Sequence, residues 1–359
     1  MEFDLDEDQR ELRGLAADLL GREAAPQRLE AFETSGAAYD AAVWKALAQA
    51  GLLGVVVPAE QDGAGLGPVE LTVLLREVGA HVAPVPAYAA LALAALPIAL
   101  AGTGEQKELL AGVAAGERIL TGAYREPGPP GTVETTARGG RLTGTKTYVP
   151  YADEASHLLV PAREDDGTVR VYVVERSEAA VSPQPSATSE PLSLVALDGA
   201  RGTPLGPDGW DVFRRSAVAG AVAVSSGVIE GALKLTTEYV RTREQFDRAL
   251  AQFQAVTMQI GDVYIAKRAL DVAVWAGAWR FATGADDTDE VLAIAAYTAA
   301  GQVVEALYTC QHLHGGIGLD VTYPLHRYFA WAKQAGHLLG GAEDQLDTLG
   351  ALVAAQEVQ

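Results

Sequence analysis

Apolar residues recur at three- and four-residue intervals in the opening stretch "DEDQRELRGLAADLLGREAA", with charges between them and Asp and Glu crowding the first turn. This pattern predicts helices from Asp4 to about Gly116. "LLGVVVPAEQDGAGLG" interrupts them as a buried turn and loop, and helices resume at "VELTVLLREVGA" and "GEQKELLAGVAAG". Between about Ile119 and Leu205 the texture changes to short segments rich in β-branched and aromatic residues, "RLTGTKTYV", "ASHLLVPA" and "VRVYVVER", separated by Gly-Gly, Asp-Asp-Gly and Pro. These predict antiparallel strands in an all-β barrel or sandwich lobe. After Gly209 the helical period returns, predicting helices over Ala217–Arg243, Gln252–Thr283 and Asp289–His312, the last opened by an Asp287-x-x-Glu290 capping pattern. A further helix is expected after Gly341, and helices this long on short loops suggest an antiparallel bundle. The expected architecture is an α+β protein of three lobes: an N-terminal helical domain over residues 1–118, a middle β domain over 119–208 and a C-terminal four-helix bundle over 209–359.

Composition narrows the function. The chain has 359 residues, 49% of them apolar, enough for a sizeable core. Its formal net charge of -20 argues against a nucleic-acid or anionic-membrane partner, since both are polyanions that need a basic footprint. Any phosphate-bearing ligand would need a local basic patch. The single cysteine, Cys310, rules out an internal disulfide. With an acidic start and no run of about 18 strongly apolar residues, the expected location is the cytoplasm.

Two segments carry candidate chemistry. "RTREQFDRALAQFQAV" (Arg241 to Val256) sets Arg241, Arg243 and Arg248 beside Phe246, Phe253, Gln245 and Gln254. Guanidinium forks suit phosphate oxygens and aromatic rings suit a planar base; the plainer alternative is a helix-end loop whose arginines pair with Glu244 and Asp247. "CQHLHGGIGLDVTYPLHRY" (Cys310 to Tyr328) contains Gly315-Gly316 and Gly318, which free the backbone to turn and let a ligand approach main-chain N–H groups. His312 and His314 lie two residues apart, on different faces of a helix, and make poor joint metal ligands. No Ser-His-Asp order, phosphate-binding glycine loop or cysteine cluster is found, so no metal site is assigned.

The order of these parts resembles the acyl-CoA dehydrogenases. The family reads roughly R-x-x-F-G-x-x-L-x-x-F-Q-x-V and Q-x-x-G-G-x-G-x-x-x-x-Y-P-x-x-R where this chain has the two segments above. "WKALAQAGLLGVVVPAEQDGAGLG" looks like its first-lobe signature and "GGRLTGTKTYVPYADEASHLLVPAR" like its β-lobe core. The resemblance implies a flavoprotein that desaturates an acyl-CoA thioester at its α,β bond. A glutamate takes the α-proton, FAD takes the β-hydride, and an electron-transfer flavoprotein accepts the electrons.

Carried over residue by residue, the resemblance divides the site in two. Groups that the family offers across the subunit interface to a neighbour's FAD correspond to Arg243, Gln245, Phe246, Phe253, Gly315 and Gly316, with His312 where the family usually has Gln. Groups that the family offers to the chain's own flavin look dismantled: "REPGPPGTV" from Arg125 keeps Glu126-Pro127 but lacks the family's Ser-Asp, and in "KTYVPY" from Lys146, where the family has a K-x-x-x-T strand, the flavin-facing Thr is Pro150. The family's base, the Glu of Y-E-G-T, falls at Leu339 or Gly340, neither of which takes a proton. The alternative base position, near Ala217 and Val218, has no carboxylate either. Glu343 is the nearest substitute, about a turn away if a helix begins at Gly341, and with Asp344 it has an ordinary job at a helix N-terminus.

The implied function is a non-catalytic subunit that shares FAD with a catalytic sister acyl-CoA dehydrogenase, in an α2β2 heterotetramer like those of actinobacteria that degrade steroid side chains; its substrate would be a steroid side-chain or fatty acyl-CoA. The alternatives are a self-sufficient homo-oligomeric enzyme with a relocated base, and a scaffold that binds no flavin.

Overall fold

The computed structural model describes residues 4–128 and 131–356. Helix α1 (Glu7–Glu23) starts at a capping box in which the Asp6 carboxylate accepts the Gln9 N–H and the Gln9 side chain returns to the Asp6 N–H. It is followed by α2 (Pro26–Ser35), α3 (Ala41–Gln49) and α4 (Pro68–Ala80). The expected buried turn lies between α3 and α4 and is so tight that a Cβ on Gly63 would sit 2.0 Å from the Val57 carbonyl oxygen. A π-helical run, Tyr88–Ala95, leads into α5 (Leu96–Ala101), then α6 (Gly104–Lys107) and α7 (Leu109–Ala114).

The strands are β1 (Leu120–Gly122), β2 (Thr136–Arg138), β3 (Arg141–Pro150), β4 (His157–Arg163), β5 (Val169–Glu175), β6 (Ala180–Gln184) and β7 (Leu192–Pro204). Strands β4, β2, β3, β7 and β5 pair in that order and β5 returns to β4, so the ladder closes into a barrel. Most ladders are antiparallel, as short strand-forming runs separated by turn residues predict; β1 and β2 meet β4 in parallel. The barrel holds its own core of Leu142, Leu158, Val160, Val174 and Val195.

The last part is built on α8 (Gly209–Thr242), α9 (Gln254–Thr283), α10 (Thr288–Thr298), α11 (Val304–His314), α12 (Leu325–Leu338) and α13 (Ala342–Gln356), with a π-helical step at Ala299–Val303 between α10 and α11. Three details depart from the sequence pattern. Helix α8 begins two turns before Ala217, because Phe213 is fully buried and Trp210 packs on the same core. Helix α12 occupies a segment expected only as the continuation of the glycine turn. Asp287 precedes α10 but makes no cap; its carboxylate accepts from Arg280 Nε at 2.7 Å instead.

Helix α8 is the axis of the molecule. It packs on α4 so closely that a Cβ on Gly227 would lie 1.9 Å from the Arg76 carbonyl oxygen. Arg76 crosses the same seam and donates to Ser226 Oγ at 2.8 Å and Asp271 Oδ1 at 3.0 Å, tying α4, α8 and α9 together. Two helical runs, α8 and Thr288–Leu319, are long and apolar enough to cross a membrane, but 83% of the apolar window in α8 and 50% of the other is buried within the protein.

Candidate functional site

At the C-terminal end of α8 the chain leaves the helix at Arg243 and forms a small hairpin in which Gln245 pairs with Arg248. Its two turn residues, Phe246 and Asp247, have φ of +53° and +61°, a type I′ geometry normally given to Asn and Gly. Holding a phenylalanine there costs strain, and the ring is 85% exposed. Phe253 stands 6.4 Å from it and carries the Arg248 guanidinium 3.9 Å above its face. Among the described residues no ion pair joins Arg241, Arg243 or Arg248 to Glu244 or Asp247, so the plainer reading of this loop fails. Arginines, amides and rings are all presented outward.

The glycine turn lies close by. Helix α11 ends at Gly315, whose φ of +64° with ψ of -142° suits only a residue without Cβ. Gly315 and Gly316 are exposed, as is His312. His314 is buried, donates from Nδ1 to the Cys310 carbonyl at 2.8 Å, and stacks on Tyr239 at 4.4 Å; its Nε2 finds no partner among the described residues. The Tyr239 hydroxyl reaches the His314 carbonyl at 3.3 Å, which fixes the glycine turn to the last turns of α8. The two histidines diverge, one to solvent and one to the core.

Leu339 is at the other end. It follows α12, is 5% exposed, and is followed by Gly340 and Gly341, each with φ of +92°. Its neighbours across a cavity of about 370 Å³ include Val218, Arg214 and Arg215 of α8. From Val218 to Arg243 the helix axis runs roughly 35–40 Å, so the outward loop and Leu339 occupy opposite ends of one rod. Glu343 is exposed in the first turn of α13, while Asp344 and Gln345 line the cavity.

The β lobe meets this end through β3. Lys146 is fully buried, ion-paired to Glu126 and bonded to the Pro161 carbonyl. Pro150 offers only its carbonyl, which accepts from Thr121 Oγ1 at 2.7 Å. Between them Tyr148, with φ of +53° at a break in register, sets its ring edge-on to His337 of α12 at 4.7 Å.

Residues 6–117 match the acyl-CoA dehydrogenase N-terminal domain and residues 208–353 the C-terminal domain. The chain belongs to the acyl-CoA dehydrogenase family. Members of this family are FAD-binding oxidoreductases. Among its relatives, Acyl-CoA dehydrogenase FadE28 of Mycobacterium tuberculosis is 38% identical over 314 residues, spanning 86% of this chain and 91% of that protein. A solved structure of a variant of the Tcur3481–Tcur3483 steroid ACAD is 40% identical with a TM-score of 0.93, covering 98% of this chain and 99% of that one. The ChsE4–ChsE5 complex from Mycobacterium tuberculosis is 33% identical with a TM-score of 0.92, covering 99% of each chain.

Two half-buried carboxylate clusters have no signature in the linear sequence. Near Ala217 and Val218 a carboxylate does stand, but it comes from α10: Asp289 accepts from Arg214 at 2.8 Å and from Arg215 at 2.7 and 3.1 Å. Burial pushes its carboxyl up, and the two guanidiniums outweigh burial and hold it below its ordinary range. A carboxylate so stabilised is a poor base. The second is Glu190, which bonds the Tyr151 hydroxyl and Gln334 Nε2, both at 3.2 Å, and faces an apolar crevice with Tyr88, Ala221 and Trp331. Burial pushes its carboxyl up to about 7, against the hydrogen bond from Tyr151. Neither residue sits in a local motif, so only the folded chain reveals them.

Proposed function

We propose that this chain is the non-catalytic subunit of a heteromeric FAD-dependent acyl-CoA dehydrogenase that desaturates an acyl-CoA thioester at the α,β position. Arg243, Gln245, Phe246, Phe253, His312, Gly315 and Gly316 contribute to FAD bound chiefly by a sister chain, and the sister supplies the base. FAD, when bound, accepts the β-hydride and passes its electrons to an electron-transfer flavoprotein. This chain's part is to clamp phosphate and planar ring with its outward guanidiniums and phenylalanines, and to exclude water from that end of the cofactor.

The carrying observation is the division along α8. Groups suited to an anionic aromatic ligand face outward at one end, where among the described residues no acid pairs with Arg241, Arg243 or Arg248. At the other end Leu339 is buried where the family resemblance puts the base, Pro150 lacks a hydroxyl, and Tyr148 of β3 is engaged edge-on with His337. The first end fits FAD and the second does not.

A sister subunit also accounts for an exposed apolar stripe on α9. Met258, Ile265, Val272 and Trp279 are 65, 65, 46 and 49% exposed, and their seven-residue spacing keeps them on one face of the helix. Such a stripe calls for a covering helix. The heteromeric steroid relatives favour a steroid side-chain thioester as the substrate, and a cytoplasmic setting fits the acidic, single-cysteine composition.

The experiment is to produce the chain alone and with a sister acyl-CoA dehydrogenase chain, and to count FAD in each preparation. Flavin appearing only on co-expression, at half per chain, supports the reading. A full complement in the chain alone, bleached by an acyl-CoA, refutes it.

One observation favours the self-sufficient alternative: Glu190 is a half-buried carboxyl beside an apolar crevice, with proton affinity suited to general-base work near neutrality. On that reading the chain alone desaturates an acyl-CoA and Glu190→Gln abolishes turnover.

A further inference from the structure

The glycine turn and the Arg-Phe hairpin are separate segments of chain, and one tyrosine holds both. Tyr239, in the last turn of α8, gives its backbone carbonyl to the Arg243 N–H at 2.8 Å, where the hairpin begins. Its hydroxyl donates to the His314 carbonyl at 3.3 Å, where the glycine turn begins. Its ring lies on the His314 imidazole at 4.4 Å with 21° between the planes. Tyr323, where the glycine turn ends, stands 5.2 Å from the imidazole and 6.3 Å from the Tyr239 ring. The exposed loop between His314 and Tyr323 is thereby pinned at both ends to one cluster of rings, with His314 at its centre.

The imidazole fits there only as a neutral ring. Nδ1 faces the Cys310 carbonyl at 2.8 Å, and a carbonyl only accepts, so Nδ1 carries the hydrogen. Nε2 is then a bare lone pair, shut off from solvent and without a partner among the described residues. A proton arriving there would make a buried cation whose new donor meets no acceptor. The titratable groups set against the ring are the phenols of Tyr239 and Tyr323 and the thiol of Cys310, none of which is ionised near neutrality. Glu238, beside Tyr239 in sequence, is exposed, and its field acts on Tyr323. Burial holds the imidazole below its ordinary value of 6.5, against the bond to Cys310, which favours the charged form. The contribution of the neutral ring is therefore present above 6.5 and is lost as pH falls through the lower folded value.

We infer that His314 is a positioning residue for this chain's flavin clamp: as a neutral ring on Tyr239 it holds the glycine turn and the hairpin as one surface, and a proton on Nε2 releases that surface. The clamp then weakens its hold on the sister's FAD in acid. The inference rests on the proposed function for the identity of the ligand, whereas the latch is a property of this chain alone. His312, exposed on α11 two residues earlier, works in the opposite direction, because its protonation adds a positive charge where an anionic ligand is expected. A loss of affinity in acid reports the buried ring and not the exposed one.

The test is FAD affinity of the mixed complex, read by the fluorescence of released flavin, from about pH 8 to about pH 5. A His312→Gln background silences the exposed histidine, so that only the buried ring titrates at this turn. With His314 intact, affinity should fall about fivefold or more toward acid, the worth of one hydrogen bond. His314→Phe keeps a ring on Tyr239 and cannot take a proton, so its affinity should be flat across the range. An equal fall in both proteins, or no fall with His314 intact, would overturn the inference. A second measurement needs no change at 314: the histidine and glycine NMR resonances of the wild-type full chain by itself. One histidine should titrate below 6.5, and the Gly315 and Gly316 amide resonances should move with it. If those amides stay still, the latch is overturned whatever the flavin does. If they move while the mixed complex binds no FAD at any pH, the proposed function has failed, and the inference falls with its ligand and not with its latch.

Discussion

The two ends of α8 began as equivalent stretches of one helix and now face different problems. At the Arg243 end charged and aromatic side chains are spread into solvent on a strained turn, a costly arrangement unless something outside the chain uses them. At the Val218 end Asp289 is neutralised by Arg214 and Arg215, the residue before the two glycines is a buried leucine, and Tyr148 meets His337 edge-on. The difference teaches where to look for completion. The first end presents its groups outward to whatever lies beyond the chain, and the second holds its nearest carboxylate in ion pairs.

The largest expected effect lies in the stripe that would bring the partner. Ile265→Lys places a charge in the middle of the exposed face of α9, and should leave the isolated chain's stability within about 0.5 kcal/mol, as surface changes do, while abolishing association with the sister. Size-exclusion chromatography with light scattering reads this. Loss of the chain's own fold instead would show the stripe to be part of its core.

Next comes the closed end. Asp289→Asn leaves half-buried Arg215 without its acid and Arg214 with only the exposed Asp211, and should cost about 2 kcal/mol in denaturant unfolding without altering flavin content. Because the Asp289 pKa is lowered on folding, its contribution is present above the ordinary carboxylate value of 3.8 and is lost as pH falls through the folded value. The variant should therefore be less sensitive to acid than wild type. Arg243→Ala probes the open end: loss of one charge-assisted contact should lower FAD affinity of the mixed complex by tenfold or more. Unchanged affinity would break the assignment of that end to the flavin.

The smallest effect sharpens the account of Glu190. Its pKa rises from 4.5 to about 7 on folding, so its contribution is fully present below pH 4.5 and fades as pH rises through 7. Glu190→Gln keeps an acceptor for Tyr151 and should flatten that slope, gaining on the order of 2 kcal/mol at pH 8 relative to wild type. Glu77, also pushed up to about 7 by burial and by Glu230, keeps part of the slope in place.

Much of this was legible in the linear sequence because it is local. Helical periods, strand-forming runs, the Arg-Phe loop and the glycine turn all announce themselves within a dozen residues. What was not legible depends on distant neighbours. Helix α12 hid behind Gly-Gly, Pro and His, and its faces acquire meaning only against α8 and the loop carrying Glu190. The parallel pairing of β1 and β2 with β4 has no local signature, since alternation reports faces and not direction. Asp287 carried a capping signal that the Arg280 guanidinium overrode. The Asp289–Arg214–Arg215 cluster joins residues about 75 apart, and it changes the meaning of a region that reads as free of acids. That Leu339 and Gly340 carry no carboxylate is legible in the sequence, whereas the pairing of Asp289 with Arg214 and Arg215 beside them is not.

The most direct test of the central claim is flavin stoichiometry. The chain purified alone should carry essentially no FAD and give no bleaching with acyl-CoA, and the co-purified heteromer should hold half an FAD per chain. One FAD per chain in the solo preparation, reduced on addition of an acyl-CoA, would contradict the account.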